Sequence, residues 1–569
     1  MDLSYLGIDV GTTGCKVIAF DEEGRTVAQA YREYPLYQLN QGWIELDADE
    51  VFRSVEDCLQ EVSNFYRGDY PVSLAISAQG EAVIPVDEKG GCLARSMVTF
   101  DERGDEFVPF WKEKLGEEKF FKITGMPLSG IGTINKILWW KKYTPDIFSK
   151  ARYFLCYEDF IVFRLGLKPA MNYSLAGRTM MFDVKKAQWS SEILDIAGID
   201  ENQLAQPFPS GQAIGLVSEA FRKKMGWPHP VLVACGAHDQ PSGALGAGVI
   251  RPYLAMDATG TVECIAPAIS QLVLTPLMRE NNLCCYHHSV SDLFITLVYN
   301  FTGGQLLRWY RDNFAGLEKE QSRLLQKNVY DLILDGLPED PTNLYVLPHF
   351  TTTGTPYFDT NSCGMIVGLK FQTTNKEVVK ALLEGISLEM KFNLELLSNA
   401  GVEVRALRAI GGGARNEHWL QIKADVYNLP VETLNISEAA CLGAALLGRK
   451  ARENIEDFSD QEFLHYMVKI GLIDDNMAQN EDFIKYYAPV FKKDFVLQSK
   501  YECNSIEKID CPIITMTGDE DLLIEQNDVT DWTRFTISGY ENLKFHGNHF
   551  FADGKKYEIA ETLMAYLNE

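Results

Sequence analysis

The feature that most constrains the fold is a short strand that carries an aspartate and ends in a turn of small residues. Residues 5–20 begin with an apolar stretch containing Asp9 and turn at Gly11, Thr12 and Thr13. A second stretch rich in β-branched residues follows directly, so the pattern predicts a β-hairpin rather than a strand–loop–helix. The segment therefore fits neither the Walker phosphate loop nor the Rossmann fingerprint, because both need a helix after the glycines.

A turn of this kind suits phosphate binding. Backbone N–H groups can approach phosphate oxygens where side chains are small, and the hydroxyls of Thr12 and Thr13 can add donors. A carboxylate beside phosphates, here Asp9, commonly holds hydrated Mg²⁺. Lys16 could neutralise the charge of a terminal phosphate. Taken alone, the segment is more simply interpreted as a plain hairpin turn.

A second turn of the same type occurs in the other half of the chain. Residues 254–258 form a predicted strand that carries an aspartate, and the strand leads into Gly260 and Thr261. The recurrence indicates an internal duplication. Strands and helices alternate along the chain, so the predicted class is α/β.

A glycine-rich loop and an aspartate complete the set of candidate residues. Gly412 and Gly413 lie in a loop that opens a helix, where N–H groups and the helix dipole favour a polar or anionic ligand. Asp239 follows the predicted strand 230–234, at the sheet edge where α/β proteins bind ligands. It could be a general base for a substrate hydroxyl. Taken alone, Asp239 is more simply interpreted as the cap of a helix that starts at Gln240.

Composition excludes several classes of protein. The chain has 569 residues with ordinary apolar and charged fractions, so it is predicted to be globular rather than disordered. A net charge of −26 argues against nucleic acid or an anionic membrane as a non-specific partner. Neither a long apolar run nor a signal peptide is evident. Scattered cysteines without a CxxC pair indicate reduced thiols and a cytoplasmic protein.

Taken in order, the motifs resemble those of the FGGY carbohydrate kinase family, within the sugar kinase, Hsp70 and actin superfamily. The match spans about residues 4–497. The segments that carry it are 7–16, 42–47, 76–80, 99–103, 236–248, 260–261, 355–369, 411–425 and 438–444. One departure is Phe100, which stands where the family has tryptophan.

The resemblance implies ATP-dependent phosphorylation of a hydroxyl on a sugar or polyol, such as a pentulose or gluconate. It implies an α/β fold in which two actin-like, ribonuclease H-like lobes surround a cleft. Residues 1–249 would form the N-terminal lobe, with the sugar site and the first phosphate motif. Residues 250–497 would form the nucleotide-binding C-terminal lobe. A homodimer is left open.

The resemblance also suggests residue roles, with ATP and Mg²⁺ as cofactors. Asp239 would be the catalytic base, and Asp9 would hold Mg²⁺ through water. The remaining nucleotide contacts would come from Gly11, Thr12, Thr13, Lys16, Gly260, Thr261, Gly412, Gly413 and Asn416.

The substrate candidates beside Asp239 are Gln79, Glu81, Asp101 and Arg103. Carboxylates and amides suit a polyhydroxyl ligand because they accept from or bridge neighbouring hydroxyls. Xylulose kinases typically carry Met-His after this glutamine, and glycerol kinases carry Arg-Glu. Here the pair is Gly80 and Glu81, so the sequence matches neither type and does not identify the sugar.

The last part of the chain, residues 498–569, does not belong to this pattern. It resembles the C-terminal end of type II thioesterases of the α/β-hydrolase fold, with Asp521 and His549 in the places of the acid and base of the triad. The chain contains no Gly-x-Ser-x-Gly, so the pair is predicted to be inactive and the segment a short α/β appendage.

Two alternatives from other classes remain open at this point. One is an actin-like protein that closes on ATP without phosphorylating a small molecule. The other is a thioesterase-related accessory protein. The aspartate at position 239 argues against the first, and the missing nucleophile argues against the second.

Overall fold

The computed structural model describes residues 4–65, 71–227, 231–434 and 438–453 continuously. Beyond these it describes 460–461, 463–464, 484, 489–490, 492, 510–519, 532–533, 536–546, 555 and 559. The chain divides into two compact units, Met1–Arg452 and Glu453–Glu569. The predicted lobe boundary between residues 249 and 250 falls inside the first unit and stays a prediction. The predicted boundary between residues 497 and 498 lies outside the described residues.

The first half of the larger unit contains one large mixed sheet and several smaller sheets of two or three strands. Its strands are β1 (Ser4–Val10), β2 (Gly14–Phe20), β3 (Thr26–Glu33), β4 (Tyr37–Asn40), β5 (Trp43–Leu46), β6 (Pro71–Ala78), β7 (Ile84–Val86), β8 (Ser96–Met97), β9 (Tyr153–Leu155), β10 (Ala170–Asn172), β11 (Phe182–Asp183), β12 (Gln188–Trp189), β13 (Gln206–Phe208), β14 (Ala213–Leu216), β15 (Leu232–Ala234) and β16 (Ala237–His238). Its helices are α1 (Ala48–Phe65), α2 (Val108–Lys114), α3 (Glu117–Thr124), α4 (Thr133–Tyr143), α5 (Pro145–Lys150), α6 (Tyr157–Arg164), α7 (Tyr173–Arg178), α8 (Ser191–Ala197), α9 (Glu219–Met225) and α10 (Asp239–Gly246).

The second half repeats this plan. Its strands are β17 (Leu254–Thr259), β18 (Glu263–Ile269), β19 (Tyr286–His287), β20 (Phe294–Ile295), β21 (Val298–Asn300), β22 (Tyr345–Leu347), β23 (Met365–Val367), β24 (Ala406–Gly411) and β25 (Val431–Thr433). Its helices are α11 (Pro276–Glu280), α12 (Gly304–Asn313), α13 (Gly316–Leu325), α14 (Val329–Leu334), α15 (Asn375–Asn399), α16 (Glu417–Tyr427) and α17 (Ala439–Glu453).

The two large sheets share a strand order. In the first, the order is β3-β2-β1-β6-β15-β14, and β16 also pairs with β6. The hairpin β1–β2–β3 is antiparallel, whereas β1, β6 and β15 run parallel. In the second, β17 is antiparallel to β18 and parallel to β24, and β24 is parallel to β25. The duplication indicated by the two Gly/Thr turns is therefore present in the topology.

Amphipathic helices cover the sheets and form the core. Helix α1 begins at Ala48 and turns Val51, Val55, Leu59 and Val62 inward onto the first sheet. These positions recur every three or four residues, so they line one face of an α-helix. The helix therefore supplies one apolar layer behind the strands that carry the candidate site.

A lysine is buried between two carboxylates in the second half. Nζ of Lys423, on α16, donates to Oδ2 of Asp257 at 2.8 Å and also to the carboxylate of Glu263. It donates further to Oγ1 of Thr259. The side chains of Lys423, Asp257 and Glu263 are almost completely excluded from solvent. The ammonium therefore ties the helix to the first two strands of the second sheet.

The smaller unit is described only in part. Two strands, β26 (Ile513–Gly518) and β27 (Tyr540–Phe545), pair in parallel over six residue pairs. Parallel neighbours need a crossover connection, which suits the expected α/β character of this segment. Nδ1 of His546 lies 3.3 Å from Oδ1 of Asp519. The predicted pair, Asp521 and His549, lies outside the described residues.

Replacing Lys423 with methionine is expected to destabilise the protein. The change leaves Asp257 and Glu263 buried without their cation, which costs about 3–5 kcal/mol of unfolding free energy. Urea unfolding followed by circular dichroism measures the change. The control is Lys223→Met, because Lys223 is exposed and pairs with Glu219 at the surface, where a pair contributes only about 0–1 kcal/mol. Equal unfolding midpoints for the two variants would contradict the structural role of Lys423.

Candidate functional site

The turn between β1 and β2 is held by its neighbours. The N–H of Gly11 donates to the carbonyl of Gly14 at 3.0 Å, and the hydroxyl of Tyr34 donates to the carbonyl of Gly11 at 2.6 Å. Gln79 adds two bonds, since its amide donates to the same carbonyl at 3.1 Å and accepts from Oγ1 of Thr12 at 3.0 Å. Gln79, predicted to contact substrate, thus supports the turn at residues 11–13, and its contact with substrate stays a prediction.

Asp9 lies at the end of β1 with its carboxylate fixed from the side. Oγ of Ser77, on the neighbouring β6, donates to Oδ1 of Asp9 at 2.7 Å. Burial and the charge of Glu438 raise the pKa of Asp9, although the Ser77 bond and the charge of Lys16 oppose this shift. The ammonium of Lys16 lies 2.6 Å from Oε1 of Glu438. The lysine predicted to contact phosphate is therefore engaged with a carboxylate in this structure.

Asp239 is the first residue of α10, directly after the short strand β16. Its Oδ1 is buried and accepts no hydrogen bond from any described residue, while the side chain as a whole is 35% exposed. Nε2 of His238 lies 3.1 Å from Oδ1 but out of line for a hydrogen bond. Removal from water and the charges of Asp9 and Glu81 raise the pKa of Asp239 to about 7.

His238 is itself held in place and kept neutral. Its Nδ1 is 3.0 Å from the hydroxyl of Tyr286, and its backbone N–H donates to Oγ of Ser174 at 2.9 Å. Burial, and secondarily the charge of Arg178, lower the pKa of His238 well below its usual range. The ring therefore adds no positive charge beside Asp239. The sequence offered a signal here, because His238 directly precedes the predicted base.

Glu81 forms an ion pair that the sequence did not predict. Its carboxylate pairs with the guanidinium of Arg178, and Oγ1 of Thr99 donates to Oε2 at 3.1 Å. Nζ of Lys136 donates to the backbone carbonyl of Glu81 at 3.0 Å, and burial lowers the pKa of Lys136 to about 8. Arg178 ends helix α7 without any local motif, so only the tertiary contact identifies it.

Asp101 and Arg103 form a second buried ion pair. Nε of Arg103 donates to Oδ1 of Asp101 at 2.8 Å, and Nη2 donates to Glu45 at 2.8 Å. The guanidinium also lies over the rings of Trp43 and Trp139, at 4.6 and 4.9 Å from their centroids. Substrate contact by this pair stays a prediction, and the structure shows it joining the segments 42–47 and 99–103.

The second half brings its own turn beside the glycine loop. Thr259 pairs in register with Gly411, so the turn at Gly260 and Thr261 lies next to residues 411–413. Gly411 has φ +85°, a conformation that favours glycine.

The loop is open on one side. A Cβ at Gly412 would meet nothing within 4 Å, so a flat ring has room there. Asn416 caps the N-terminus of helix α16, since its Oδ1 accepts from the N–H of Trp419 at 3.0 Å.

Two further glycines join this half of the site. The N–H of Gly303 donates to the carbonyl of Thr261 at 3.1 Å, and that of Gly304 donates to the carbonyl of Gly260 at 2.9 Å. They open helix α12 and thereby add a helix N-terminus to the second turn. The sequence contained a signal for this contribution, since two consecutive glycines precede an amphipathic helix, but the motifs considered above did not include it.

Known families match most of the larger unit. The N-terminal domain of the FGGY family of carbohydrate kinases matches residues 4–246, and the C-terminal domain of that family matches residues 292–452. The chain belongs to the FGGY family of carbohydrate kinases. It is accordingly a phosphotransferase that transfers a phosphoryl group from ATP to an alcohol group of a sugar or polyol.

Individual relatives differ in the substrate they are named for. A xylulose kinase of Staphylococcus epidermidis is 26% identical over 491 residues, which cover 86% of this chain and 95% of that protein. A gluconokinase of Bacillus subtilis is 28% identical over 458 residues, covering 80% and 88%.

The solved structures agree on the fold. Gluconate kinase from Lactobacillus acidophilus superposes with a TM-score of 0.71 at 23% identity, over 88% of this chain and 98% of that one. The predicted family and two-lobed, actin-like fold are confirmed. Among the helices that the structure describes, none is both long and apolar enough to span a membrane.

Replacing Gly80 with alanine is expected to lower turnover about ten- to a hundredfold. A Cβ at this position would lie 2.9 Å from Nε2 of His238, so the ring must move away and would disturb the adjacent Asp239. ADP affinity should not change, because Gly80 does not touch residues 411–416. Coupled ADP-release kinetics and calorimetry measure the two quantities.

The matched control for Gly80→Ala is Gly316→Ala, where an added Cβ meets nothing within 4 Å. The control should retain full turnover. Normal turnover of a folded Gly80→Ala protein would show that the position of His238 does not matter for the reaction.

Proposed function

We propose that Asp239 takes the proton from the substrate hydroxyl as the γ-phosphoryl group of ATP is transferred to that oxygen. The observation that carries this proposal is the buried Oδ1 of Asp239, which is free of hydrogen bonds from described residues and lies beside Asp9. A pKa of about 7 suits a general base at neutral pH, because the group is ionised yet retains affinity for a proton.

We further propose that the two small turns hold the ATP phosphates. The turns at residues 11–13 and 260–261 offer N–H groups and threonine hydroxyls, and the loop with Gly412, Gly413 and Asn416 flanks the adenosine. Support comes from the equivalent places of the two turns in two sheets of the same topology. Phosphoryl transfer needs mainly positioning and charge stabilisation, which such donors supply.

Asp9 is proposed to hold Mg²⁺ through water. The residues fit this ion, since Asp9 is a half-buried carboxylate with raised pKa beside the further carboxylates Asp239 and Glu438. A divalent cation offsets such a concentration of negative charge. When bound, Mg²⁺ would neutralise charge on the phosphates. Ser77 orients the Asp9 carboxylate toward that role by donating to its Oδ1.

The acceptor is proposed to be a neutral sugar or polyol rather than an aldonate. The carboxylates of Asp9, Glu81 and Asp239 share the site with the cations Arg178 and Lys136. Arg178 is already paired with Glu81, and His238 is neutral. A carboxylate on the substrate would therefore add to an excess of negative charge, whereas hydroxyl groups can donate to these oxygens.

We also propose a homodimer that works in the cytoplasm without nucleic acid as a partner. The eleven described cysteines are free thiols, as expected in a reducing compartment. The net charge of −26 disfavours contact with a phosphate backbone.

Asp239→Asn is expected to lower turnover at least about 100-fold while ATP still binds, because the amide cannot accept the proton. ADP release is measured with ATP and Mg²⁺ across ketoses, polyols and aldonates. The control is Asp146→Asn, since Asp146 lies on helix α5, which has no buried residue, and should not affect turnover. Full activity of Asp239→Asn would refute its role as the base. Turnover with an aldonate but with none of the ketoses or polyols would refute the proposal that the acceptor is neutral.

The pH profile gives an independent check on Asp239. The ionised carboxylate is the active form, so kcat/KM should rise about tenfold per pH unit below pH 7 and level off above it. Residual activity of Asp239→Asn should lack this inflection. A wild-type profile that stays flat between pH 5.5 and 8, values chosen to bracket the pKa of about 7, would contradict the assignment.

A further inference from the structure

A buried glutamate of the first half is not among the candidate site residues. Glu158, the second residue of helix α6, is completely excluded from solvent. Burial raises the pKa of Glu158 to about 7, although hydrogen bonds from its neighbours oppose this shift. Placing a carboxyl group in the interior costs free energy unless hydrogen-bond donors compensate it. The donors around Glu158 therefore show which parts of the fold it holds.

One carboxylate oxygen of Glu158 holds the segment that leads to Asp239. Its Oε1 accepts from the backbone N–H of Gly236 at 2.6 Å and from Sγ of Cys235 at 3.7 Å. Gly236 packs so closely on strand β6 that an added Cβ would overlap the carbonyl oxygen of Ile76. The segment before Asp239 is therefore fixed by both β6 and α6.

The other carboxylate oxygen of Glu158 holds Asn172, which caps helix α7. Oε2 accepts from the backbone N–H of Asn172 at 3.1 Å and also from its side-chain amide. Oδ1 of Asn172 accepts in turn from Oγ of Ser174 at 2.5 Å and from the N–H of Leu175 at 2.7 Å. Oγ of Ser174 accepts from the N–H of His238 at 2.9 Å. This branch therefore also reaches the residue directly before the proposed base.

Both branches end at groups of the candidate site. The first precedes Asp239, and the second supports helix α7, which ends at Arg178, the partner of Glu81. A helix of six residues has little stability by itself, so its orientation depends on the cap that Asn172 provides. The side chains that form the two branches are buried, and each of their oxygen and nitrogen atoms has a hydrogen bond. Such a network is rigid.

We propose that Glu158 is a positioning residue that sets the geometry of Asp239 and Arg178 for phosphoryl transfer. It acts through the segment 235–238 and through helix α7. A displacement of about 1 Å can lower turnover about 100-fold even when the altered residue is far from the reacting atoms. This role rests on the proposed function, because it requires Asp239 to be the base.

The test measures ADP release from ATP and Mg²⁺ with the fastest acceptor among ketoses, polyols and aldonates. Glu158→Gln is expected to lower kcat about tenfold to 100-fold and to leave KM for ATP unchanged. Both oxygens of Glu158 accept from donors, so an amide group must direct its own N–H groups at one of those donors. Circular dichroism establishes whether each variant is folded.

Two further variants separate hydrogen bonding from packing. Glu158→Gln/Asn172→Asp exchanges donor and acceptor between the two side chains, so their bond forms in the opposite direction and part of the turnover should return. The matched control is Asp159→Asn, which should keep wild-type turnover. Asp159 is equally buried and adjacent on α6, but its Oδ2 accepts from the N–H of Cys156 at the cap of its own helix.

Ser174→Ala decides the question if Glu158→Gln does not fold. This change removes the acceptor of the His238 N–H and leaves Glu158 in place, so the protein should fold. Its kcat should still fall at an unchanged KM for ATP. Normal kcat of Ser174→Ala in that case would overturn the proposal.

The remaining outcomes distinguish this role from the proposed function. A folded Glu158→Gln protein with normal kcat, beside an impaired Asp239→Asn protein, would overturn the positioning role and leave the base in place. An equal fall in kcat for Asp159→Asn, or no recovery in the double variant, would also overturn it, since either would indicate a general loss of core packing. Full activity of Asp239→Asn, or no wild-type turnover with any acceptor, would refute the proposed function and the positioning role with it.

Discussion

Backbone register across three parallel strands determines where the acidic groups of the site lie. Asp9 on β1 pairs with Ser77 on β6, and Ser77 pairs with Ala237 on β16. Asp9 and Asp239 therefore reach the same carboxyl edge of the sheet, although more than two hundred residues separate them. A shift of one residue in either pairing would turn these side chains to opposite faces of the sheet. The remaining features of the site depend on this alignment.

The alignment concentrates negative charge, and the protein compensates only part of it. Arg178 neutralises Glu81, and Lys16 neutralises Glu438. Asp239 receives no such partner among the described residues, and burial together with the charges of Asp9 and Glu81 raises its pKa to about 7. The uncompensated charge is useful, because the proposed Mg²⁺ and the substrate hydroxyl are the groups that would satisfy it. A site prepared in this way costs stability in the free protein.

The two halves show how one topology serves two purposes. Asp9 stands two residues before the glycine of its turn, whereas Asp257 stands three residues before Gly260. Successive side chains of a strand point to opposite faces, so this single step reverses the direction of the carboxylate. In the first half it faces the candidate site, and in the second it is buried with Lys423. The same strand and turn thus carry the proposed Mg²⁺ ligand Asp9 in one sheet and a structural ion pair in the other.

Local pattern was enough to predict several of the elements and the positions of the candidate residues in turns and at a strand end. The Gly/Thr turns between antiparallel strands, the glycine loop before α16 and the position of Asp239 after a strand all follow from neighbouring residues in the sequence. Turn and helix-start preferences depend on a few consecutive residues, and this explains why they could be predicted. The order of the motifs also sufficed to indicate the family.

Contacts between distant residues were decided by tertiary structure alone. Arg178 meets Glu81, Gln79 holds the turn at Gly11, and Lys423 reaches Asp257 only because strand register and helix packing bring them together. No local preference marks an arginine at the end of a short helix as the partner of one particular glutamate. The sequence by itself thus determined the α/β class, the duplicated turns and the candidate base. The tertiary structure decided which charges are paired, because pairing depends on distances that the linear chain does not contain.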